Sequence, residues 1–151
     1  PKKIIIVSSA PQIRYPDCYG IDMSQLNKFI AFRAAIALIK DRGMESLIDE
    51  VYQKCLIEVK KPTADNKNMV KAIFEPFSAE EISGKIAQLI TASDIEIPVE
   101  VIYQSLENLH DSCSGHLGDW YFSGNYPTHG GNKVANRSFI NFVEGKNTRA
   151  Y

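Results

Sequence analysis

The hydrophobic pattern of this chain begins with four consecutive apolar residues, Ile4 to Val7. A short apolar run without polar alternation is typical of a strand that is covered on both faces in an α/β sheet. The run stops at Ser8, and a loop stiffened by Pro11 and Pro16 leads to Ser24, which is predicted to open a helix. Because this loop leaves the carboxyl end of the strand, it lies where open α/β sheets place their ligand crevice.

Apolar residues then recur at helical spacing. The pattern predicts helices over residues 26–39, 47–55, 69–74, 82–90 and 134–143, of which the third is short. Gly43 and Gly145 are predicted to end the first and the last of them. Ser78 and Glu81 have the spacing of a capping box, which marks the start of the helix over 82–90.

The segments between these helices predict a strand and several connections. Residues 95–103 alternate apolar and polar positions and predict a half-buried strand, which Pro98 restricts to an edge or an irregular start. Residues 104–110 predict a short helix or turn, and the polar stretch 63–68 predicts a flexible surface turn. Residues 111–131, rich in Gly, Ser, His and Asn, predict a long loop that is functional or packed against another segment.

Length and charge narrow the class of protein. A chain of 151 residues predicts a single domain. Its 17 basic and 18 acidic residues give a net charge of -1, which argues against binding to nucleic acid or to a membrane surface through a broad basic field. The sequence has no apolar run long enough for a membrane span and no signal-peptide pattern, so we expect a cytoplasmic protein. Three widely spaced cysteines fit reduced thiols.

Two segments resemble a known family. The run SSAPQIRYPDCYGIDM, Ser8 to Met23, resembles the stretch that follows the phosphoribosyl-pyrophosphate loop in glutamine phosphoribosylpyrophosphate amidotransferases, also called amidophosphoribosyltransferases. Its length and mixed chemistry argue against chance agreement. The segment FSGNYPT, Phe122 to Thr128, is similar to a segment near the carboxyl end of the same family.

The resemblance implies a fold and a division of the chain. The implied fold is α/β, a partial phosphoribosyltransferase-like sheet with a mainly helical insertion and a carboxyl-terminal extension. Residues 1–23 would form the last core strand and the motif loop, 32–77 the helical insertion, and 78–151 the carboxyl-terminal helices, strand and tail. The chain starts at Pro1, directly on a core strand, so we expect it to be the carboxyl-terminal part of a longer protein.

The resemblance also implies a reaction. The full-length enzyme would make 5-phosphoribosylamine from phosphoribosyl pyrophosphate and glutamine, in the first committed step of purine synthesis. The glutaminase cysteine and the phosphoribosyl-pyrophosphate loop of the family match no segment of this sequence. We therefore expect this part of the protein to be inactive by itself.

Cofactors and partners follow from the same resemblance. Magnesium is expected with the full-length enzyme and not with this part alone. Some relatives carry an iron–sulfur cluster, but Asp17 stands where a cluster cysteine is expected, Cys18 is offset by one, and Cys113 has no cysteine close to it, so the sequence argues against a cluster. The three histidines match no common metal-ligand spacing. The expected partners are the glutaminase domain and the phosphoribosyl-pyrophosphate loop of the same chain, and further copies in a homo-oligomer.

No residue is predicted to be catalytic, but five are predicted to lie near the substrate: Ser8, Ser9, Arg14, Tyr19 and Asp22. The hydroxyls of the two serines can donate to a phosphate or bind backbone groups. Arg14 can hold a phosphate or a carboxylate in a bidentate manner, or form an ion pair with another domain. Tyr19 can simply shape the loop, and Asp22 has the spacing of a capping box with the residue three positions on.

Two other interpretations stay open. A non-catalytic interaction or regulatory module would use the helical insertion and the aromatic run 120–122 as a docking surface. A cysteine enzyme built on Cys18 has the weakest support, because no motif places a base beside that thiol. Because a partner sheet would lie outside this sequence, we also expect exposed apolar surface on Ile4 to Val7 and self-association that covers it.

Overall fold

The computed structural model describes residues 2–20, 23–115 and 118–150. Within these ranges it contains two strands, β1 (Ile4–Ser8) and β2 (Val99–Tyr103). The helices are α1 (Ile30–Asp41), α2 (Ser46–Glu58), α3 (Ala79–Ile90), α4 (Leu106–Ser112), α5 (Trp120–Ser123) and α6 (His129–Val143). Three 3-10 turns lie at Leu26–Lys28, Thr63–Asp65 and Met69–Ile73. No helix in the described ranges is long and apolar enough to cross a membrane.

The two strands lie side by side in parallel. Ile4 is opposite Val99, and Ser8 is opposite Tyr103, so the carboxyl ends of both strands meet at one edge. The long connection between them includes α1, α2 and α3, and α3 packs against β2. The described residues therefore form a helix-rich α/β arrangement with a small parallel sheet. The larger phosphoribosyltransferase-like sheet stays a prediction.

The prediction that Ile4 to Val7 is covered on both faces is wrong for this chain. Ile5 and Val7 are 53% and 71% exposed, and their neighbour Ile102 on β2 is 42% exposed. Helix α3 packs against β2, where Val101 is buried, but Ile6 beside Val101 on β1 is 44% exposed; the alternate side chains Ile5, Val7 and Ile102 on the opposite face are open to solvent. The expectation of an exposed apolar surface on this strand is confirmed.

The hydrophobic core lies between α1, α2, α3 and α6, beside the sheet rather than on its open face. Phe32 is fully buried, and its ring meets those of Phe74, Phe139 and Phe142 edge to face, with centroid distances of 6.4, 6.1 and 4.9 Å. Cys55 is also fully buried, as its place on the apolar stripe of α2 predicted. The assignment of 32–77 as an insertion stays a prediction, although this stretch supplies much of the core.

Most predicted elements are present near their predicted bounds. The Ser78 hydroxyl accepts a hydrogen bond from the Glu81 N–H at 3.1 Å, and the Ser78 N–H donates to the Glu81 carboxylate at 2.8 Å, which completes the capping box. Gly43 follows α1 with a φ of 64°, a left-handed conformation in which glycine avoids the steric cost that other residues meet. Strand β2 begins directly after Pro98.

The helix predicted to open at Ser24 begins later, at Ile30. Ser24 is buried, and its carbonyl accepts a 2.6 Å hydrogen bond from the Ser138 hydroxyl on α6. The same hydroxyl accepts a hydrogen bond from the Leu26 N–H at 3.2 Å. These contacts hold the segment before α1 as an extended stretch and a 3-10 turn, so tertiary structure sets where this helix begins.

Two predicted connections are more ordered than their composition suggests. Asn66, in the predicted flexible turn over 63–68, is only 2% exposed. The Asn66 side-chain amide donates to the Pro62 carbonyl at 3.1 Å, and the Asn132 side-chain amide on α6 donates to the Asn66 carbonyl at 2.9 Å. The predicted loop over 111–131 contains α5 and the first turn of α6. Both stretches are therefore ordered by hydrogen bonds to segments far away in the sequence, which their polar composition did not predict.

Candidate functional site

The candidate site lies at the carboxyl ends of β1 and β2. The Gln104 N–H donates to the Ser8 carbonyl at 3.2 Å, which continues the pairing of the strands to their last residues. The loop that follows β1 carries the segment Ser8 to Gly20, within the first family-like motif. This loop and the start of the connection after β2 therefore share one edge, as expected for the ligand edge of a parallel sheet.

The two predicted serines differ in what they contact. The Ser8 hydroxyl donates to the Ala10 carbonyl at 3.0 Å and accepts from the Ala10 N–H at 3.3 Å. This matches the backbone-binding alternative for Ser8 and fixes the turn that leaves the strand. Ser9 is exposed beside it. A substrate role for either hydroxyl stays a prediction.

Arg14 is held in place by Gln12, a residue that the sequence patterns did not predict to lie at the site. The Arg14 Nε and Nη2 atoms both donate to the Gln12 side-chain oxygen, at 3.1 and 2.7 Å. Gln12 is 3% exposed, and its amide nitrogen donates to the Ala79 carbonyl at 2.8 Å and to the Ser83 hydroxyl at 2.9 Å. Gln12 thus fastens the guanidinium to the first turns of α3.

A groove of about 1340 Å³ is lined by residues of α3 and β2 and by Arg14. Its lining includes Gln12 and Arg14 from the loop, Ser83 from α3, and Gln104 from the end of β2. Among the described loop residues, Ser8, Ser9 and Tyr19 do not line it. Only Arg14, of the five residues predicted near a substrate, therefore borders this groove in the part of the chain that is described.

Tyr19 contacts the carboxyl-terminal segment. Its side chain is 62% exposed, and its ring meets the ring of Trp120 edge to face at a centroid distance of 5.7 Å. The Tyr19 N–H donates to the Asp17 carboxylate at 2.8 Å, so the loop turns back on itself at this point. Asp22 lies outside the described residues, and its predicted role stays a prediction.

The first family-like segment contacts the second, and Tyr121 directly before it, through hydrogen bonds that we call the loop clasp, formed by Pro16, Asp17, Tyr121 and Tyr126. The Tyr121 hydroxyl donates to the Asp17 carboxylate at 2.7 Å, and the Tyr126 hydroxyl donates to the Pro16 carbonyl at 2.6 Å. The Tyr121 carbonyl also accepts hydrogen bonds from the N–H groups of Arg14 and Tyr15, at 2.8 and 3.1 Å. Helix α5 and the segment after it therefore fix the shape of the loop after β1.

Two glycines allow the segments to come this close. Gly124 has a φ of 71°, and a Cβ atom there would lie 2.8 Å from the Tyr15 ring and from the Asn68 amide nitrogen. Asn68 donates to the Gly124 carbonyl at 3.1 Å. A Cβ on Gly131, in the first turn of α6, would overlap the side chain of Tyr126. Glycine is thus favoured at positions 124 and 131 because a larger side chain would collide with Tyr15 or Tyr126. The sequence alone did not show this.

The loop clasp excludes water from several titratable groups. Burial, followed by the hydrogen bond to Asp17, raises the pKa of Tyr121 to about 12. Burial also raises the pKa of Tyr126 well above its ordinary value. Burial and then the Asp17 charge raise the pKa of the Cys18 thiol, which is the opposite of what a thiolate nucleophile needs. This environment argues against the interpretation of a cysteine enzyme built on Cys18.

The described residues offer no ligand set for the magnesium that the resemblance implies. Across residues 2–20, 23–115 and 118–150, no three His, Cys, Asp or Glu side chains are grouped as a metal site requires. Cys55 lies in the core, where its thiol donates to the Asn136 side-chain oxygen at 3.5 Å.

Comparison with known proteins finds partial similarity to one kind of enzyme. No family model and no solved structure matches the chain. An amidophosphoribosyltransferase of Pasteurella multocida (strain Pm70) is 48% identical over 48 residues, which are 31% of this chain and 10% of the relative. An amidophosphoribosyltransferase of Haemophilus influenzae (strain ATCC 51907 / DSM 11121 / KW20 / Rd) is 32% identical over 87 residues, which are 57% of this chain and 17% of the relative. The chain is thus similar to amidophosphoribosyltransferases over short stretches and spans less than a fifth of either relative's length.

Proposed function

We propose that this chain is the carboxyl-terminal part of an amidophosphoribosyltransferase. The observation that carries the proposal is the loop clasp, in which the Tyr126 hydroxyl of the second segment that resembles this family donates a hydrogen bond to the Pro16 carbonyl of the first, 110 residues away. The partial similarity to two enzymes of that name supports the same assignment. Contact between the two segments would give them a joint role at the ligand edge of the sheet.

The proposed reaction joins ammonia to a phosphorylated sugar. The full-length protein would hydrolyse glutamine to glutamate and ammonia, and the ammonia would displace pyrophosphate from phosphoribosyl pyrophosphate to give 5-phosphoribosylamine. The residues that cleave glutamine and hold magnesium, and the phosphoribosyl-pyrophosphate loop, would lie in the rest of that protein. This part would border the site and hold the loop after β1, without supplying a catalytic group.

The open face of the sheet supports the proposal that the rest of the protein packs here. Ile5, Val7 and Ile102 share one face of the parallel pair, and all three are more than two-fifths exposed. Burying apolar side chains of this size contributes roughly 1.5–3 kcal/mol each, so a further part of a phosphoribosyltransferase-like domain would gain stability by covering them. We further propose that the complete protein is a cytoplasmic homo-oligomer.

The test is an assay of the full-length gene product for glutaminase activity that depends on phosphoribosyl pyrophosphate and magnesium. We expect glutamate and pyrophosphate to form in equal amounts, and the isolated 151-residue chain to form neither. A full-length protein that is folded, by circular dichroism and cooperative unfolding, but releases no pyrophosphate would refute the enzymatic assignment.

The exposed face also favours the alternative of a non-catalytic interaction module, since apolar patches on folded domains commonly mark interfaces. The same assay separates the two functions. A module would bind a partner through Ile5 and Val7 while the full-length protein stayed inactive, whereas the enzyme would lose stability when that face was made polar.

A further inference from the structure

Arg14 is a charged side chain whose partners in the described residues are all neutral. Its Nε and Nη2 atoms donate to the amide oxygen of Gln12, and its guanidinium carbon lies 5.3 Å from the ring centroid of Phe74. No carboxylate forms an ion pair with it within residues 2–20, 23–115 and 118–150. The guanidinium is partly buried, and burial lowers the pKa of Arg14, so its positive charge lacks both full hydration and a counterion.

The contact with Gln12 leaves one side of the guanidinium available. Nε and Nη2 form one edge of the planar group, and that edge is occupied by Gln12. The other edge consists of Nη1 and the second Nη2 hydrogen, which have no acceptor among the described residues. Such an edge presents two parallel N–H groups, the geometry that matches two oxygens of a phosphate.

The side chain is fixed before any ligand arrives. Gln12 is buried and donates to Ala79 and Ser83 on α3, so it cannot rotate away without losing two hydrogen bonds. The Phe74 ring lies against the guanidinium and restricts its movement on another side. A donor held in this way loses less conformational entropy on binding than a free surface arginine does.

The groove between α3 and β2 gives a ligand access to this position. Arg14 lines the groove together with the hydroxyl-bearing Ser83 and Ser105 and the amide of Gln104. The other described cation of the lining, Lys3, is paired with Glu100 on β2. Arg14 is therefore the positive charge without a carboxylate partner among the described residues of the groove, whose lining also carries Glu80, Glu96 and Glu100.

We propose that Arg14, oriented by Gln12, forms a binding site for a phosphate group in the groove. The ligand is inorganic phosphate or the phosphate of a small ester, bound by the Nη1 and Nη2 edge. Phosphate binding is measured without turnover, so this proposal does not depend on the reaction proposed above.

The test is a titration of the isotopically labelled 151-residue chain with inorganic phosphate at constant ionic strength and neutral pH, followed by NMR. We expect saturable shifts of the Arg14 side-chain N–H signal and of the amides of Gln12 and Ser83. Shifts that rise linearly without saturation, or that centre on other residues, show an adventitious ion only and overturn the proposal. This outcome can be judged on the wild-type chain, without any variant.

Three variants sharpen the result. Arg14→Gln should weaken phosphate binding about tenfold or more, since charge-assisted hydrogen bonds are lost, and Arg14→Lys should weaken it by less. Arg137→Gln removes an exposed arginine on α6, outside the groove, and should bind as the wild type does. If Arg137→Gln weakens binding as much as Arg14→Gln, the effect is one of overall charge and the proposal fails.

Two further ligands identify the recognised group. Ribose 5-phosphate should bind at least as tightly as inorganic phosphate, because the sugar can occupy the groove. Acetate should bind more weakly, since it carries a single charge. Acetate that binds as tightly as phosphate would overturn the assignment to a phosphate. A chain that binds no phosphate would refute this proposal and would not decide the assay of the full-length protein, so failures of the two proposals are distinguishable.

Discussion

The Tyr121 hydroxyl donates a 2.7 Å hydrogen bond to the carboxylate of Asp17, a residue that is 1% exposed. The bond joins the first segment that resembles amidophosphoribosyltransferases to the residue directly before the second, across 104 residues of sequence. Because a buried carboxylate is costly unless donors surround it, Tyr121 stabilises both the charge of Asp17 and the loop that carries it.

Removal of this hydroxyl should therefore destabilise the protein. Tyr121→Phe is expected to lower the free energy of unfolding by about 1–3 kcal/mol, because the Asp17 carboxylate keeps its burial and loses a donor. Urea denaturation measures the change. Tyr19→Phe is the matched control: the Tyr19 side chain is 62% exposed, and its ring contact with Trp120 does not need the hydroxyl, so a change within about 0.5 kcal/mol is expected.

A double-mutant cycle of Tyr121→Phe with Asp17→Asn tests the pairing itself. If the two side chains act on each other, their effects should not add, and the difference should reach about 0.5–3 kcal/mol. Additive effects would mean that the Tyr121 hydroxyl does not stabilise the protein through Asp17.

The close approach of α6 to Tyr126 gives a second prediction. Gly131→Ala should destabilise the protein by about 1–3 kcal/mol, because the new methyl group overlaps the Tyr126 side chain, which its hydrogen bond to Pro16 holds in place. Gly130→Ala changes the neighbouring position of the same helix, where the nearest atom to a new Cβ is 3.8 Å away. This control should be neutral or stabilising by about 0.5–1 kcal/mol, as expected for alanine in a helix. Thermal and urea unfolding of both variants measure the contrast, and equal effects would contradict the predicted overlap.

The open sheet face predicts self-association of the isolated chain. Its Val7 side chain is 71% exposed, so sedimentation velocity should show an average mass that rises with concentration. Val7→Lys should weaken the association about tenfold or more, since burial of one such side chain contributes about 1.5–3 kcal/mol. Ile57→Lys is the control, because Ile57 is 60% exposed on α2, away from the sheet. A wild-type chain that stays monomeric at all concentrations would contradict the prediction that this sheet face is covered by another part of the protein or by a second copy.

Stability should fall at alkaline pH. The pKa of Tyr121 is raised to about 12 in the folded protein from an ordinary value of 10.0. Above the ordinary value, the unfolded chain releases its phenolic proton first and so binds fewer protons than the folded protein, and stability declines as pH rises. The contribution is complete below about pH 10 and is lost as the pH rises through about 12. Tyr126, whose pKa burial also raises, acts in the same direction.

Urea unfolding at a series of pH values from about 8 to about 12 measures this decline. Tyr121→Phe should make the decline shallower, because one of the titrating phenols is absent. A variant that declines as steeply as the wild type would show that Tyr121 does not contribute to it.

Local patterns predicted the elements of this fold where the physical cause is also local. The capping box of Ser78 and Glu81, the apolar stripe of α2 and the glycine after α1 each depend on residues within a few positions of one another. Pro98 was predicted to restrict the second strand, and β2 does begin after it. Predictions failed where distant residues decide: Ser138 delays the start of α1, and Asn132 helps to hold the turn around Asn66.

The sequence by itself determined the α/β class, the positions of most helices and the two segments that resemble one family, because periodicity, capping and motif chemistry are written in neighbouring residues. Only the tertiary structure decided that Asp17 is buried under Tyr121, that Gln12 orients Arg14, and that one sheet face stays open. Those features depend on burial and on hydrogen bonds between residues far apart in the chain. Such contacts exist only once the elements have packed, so no local pattern encodes them.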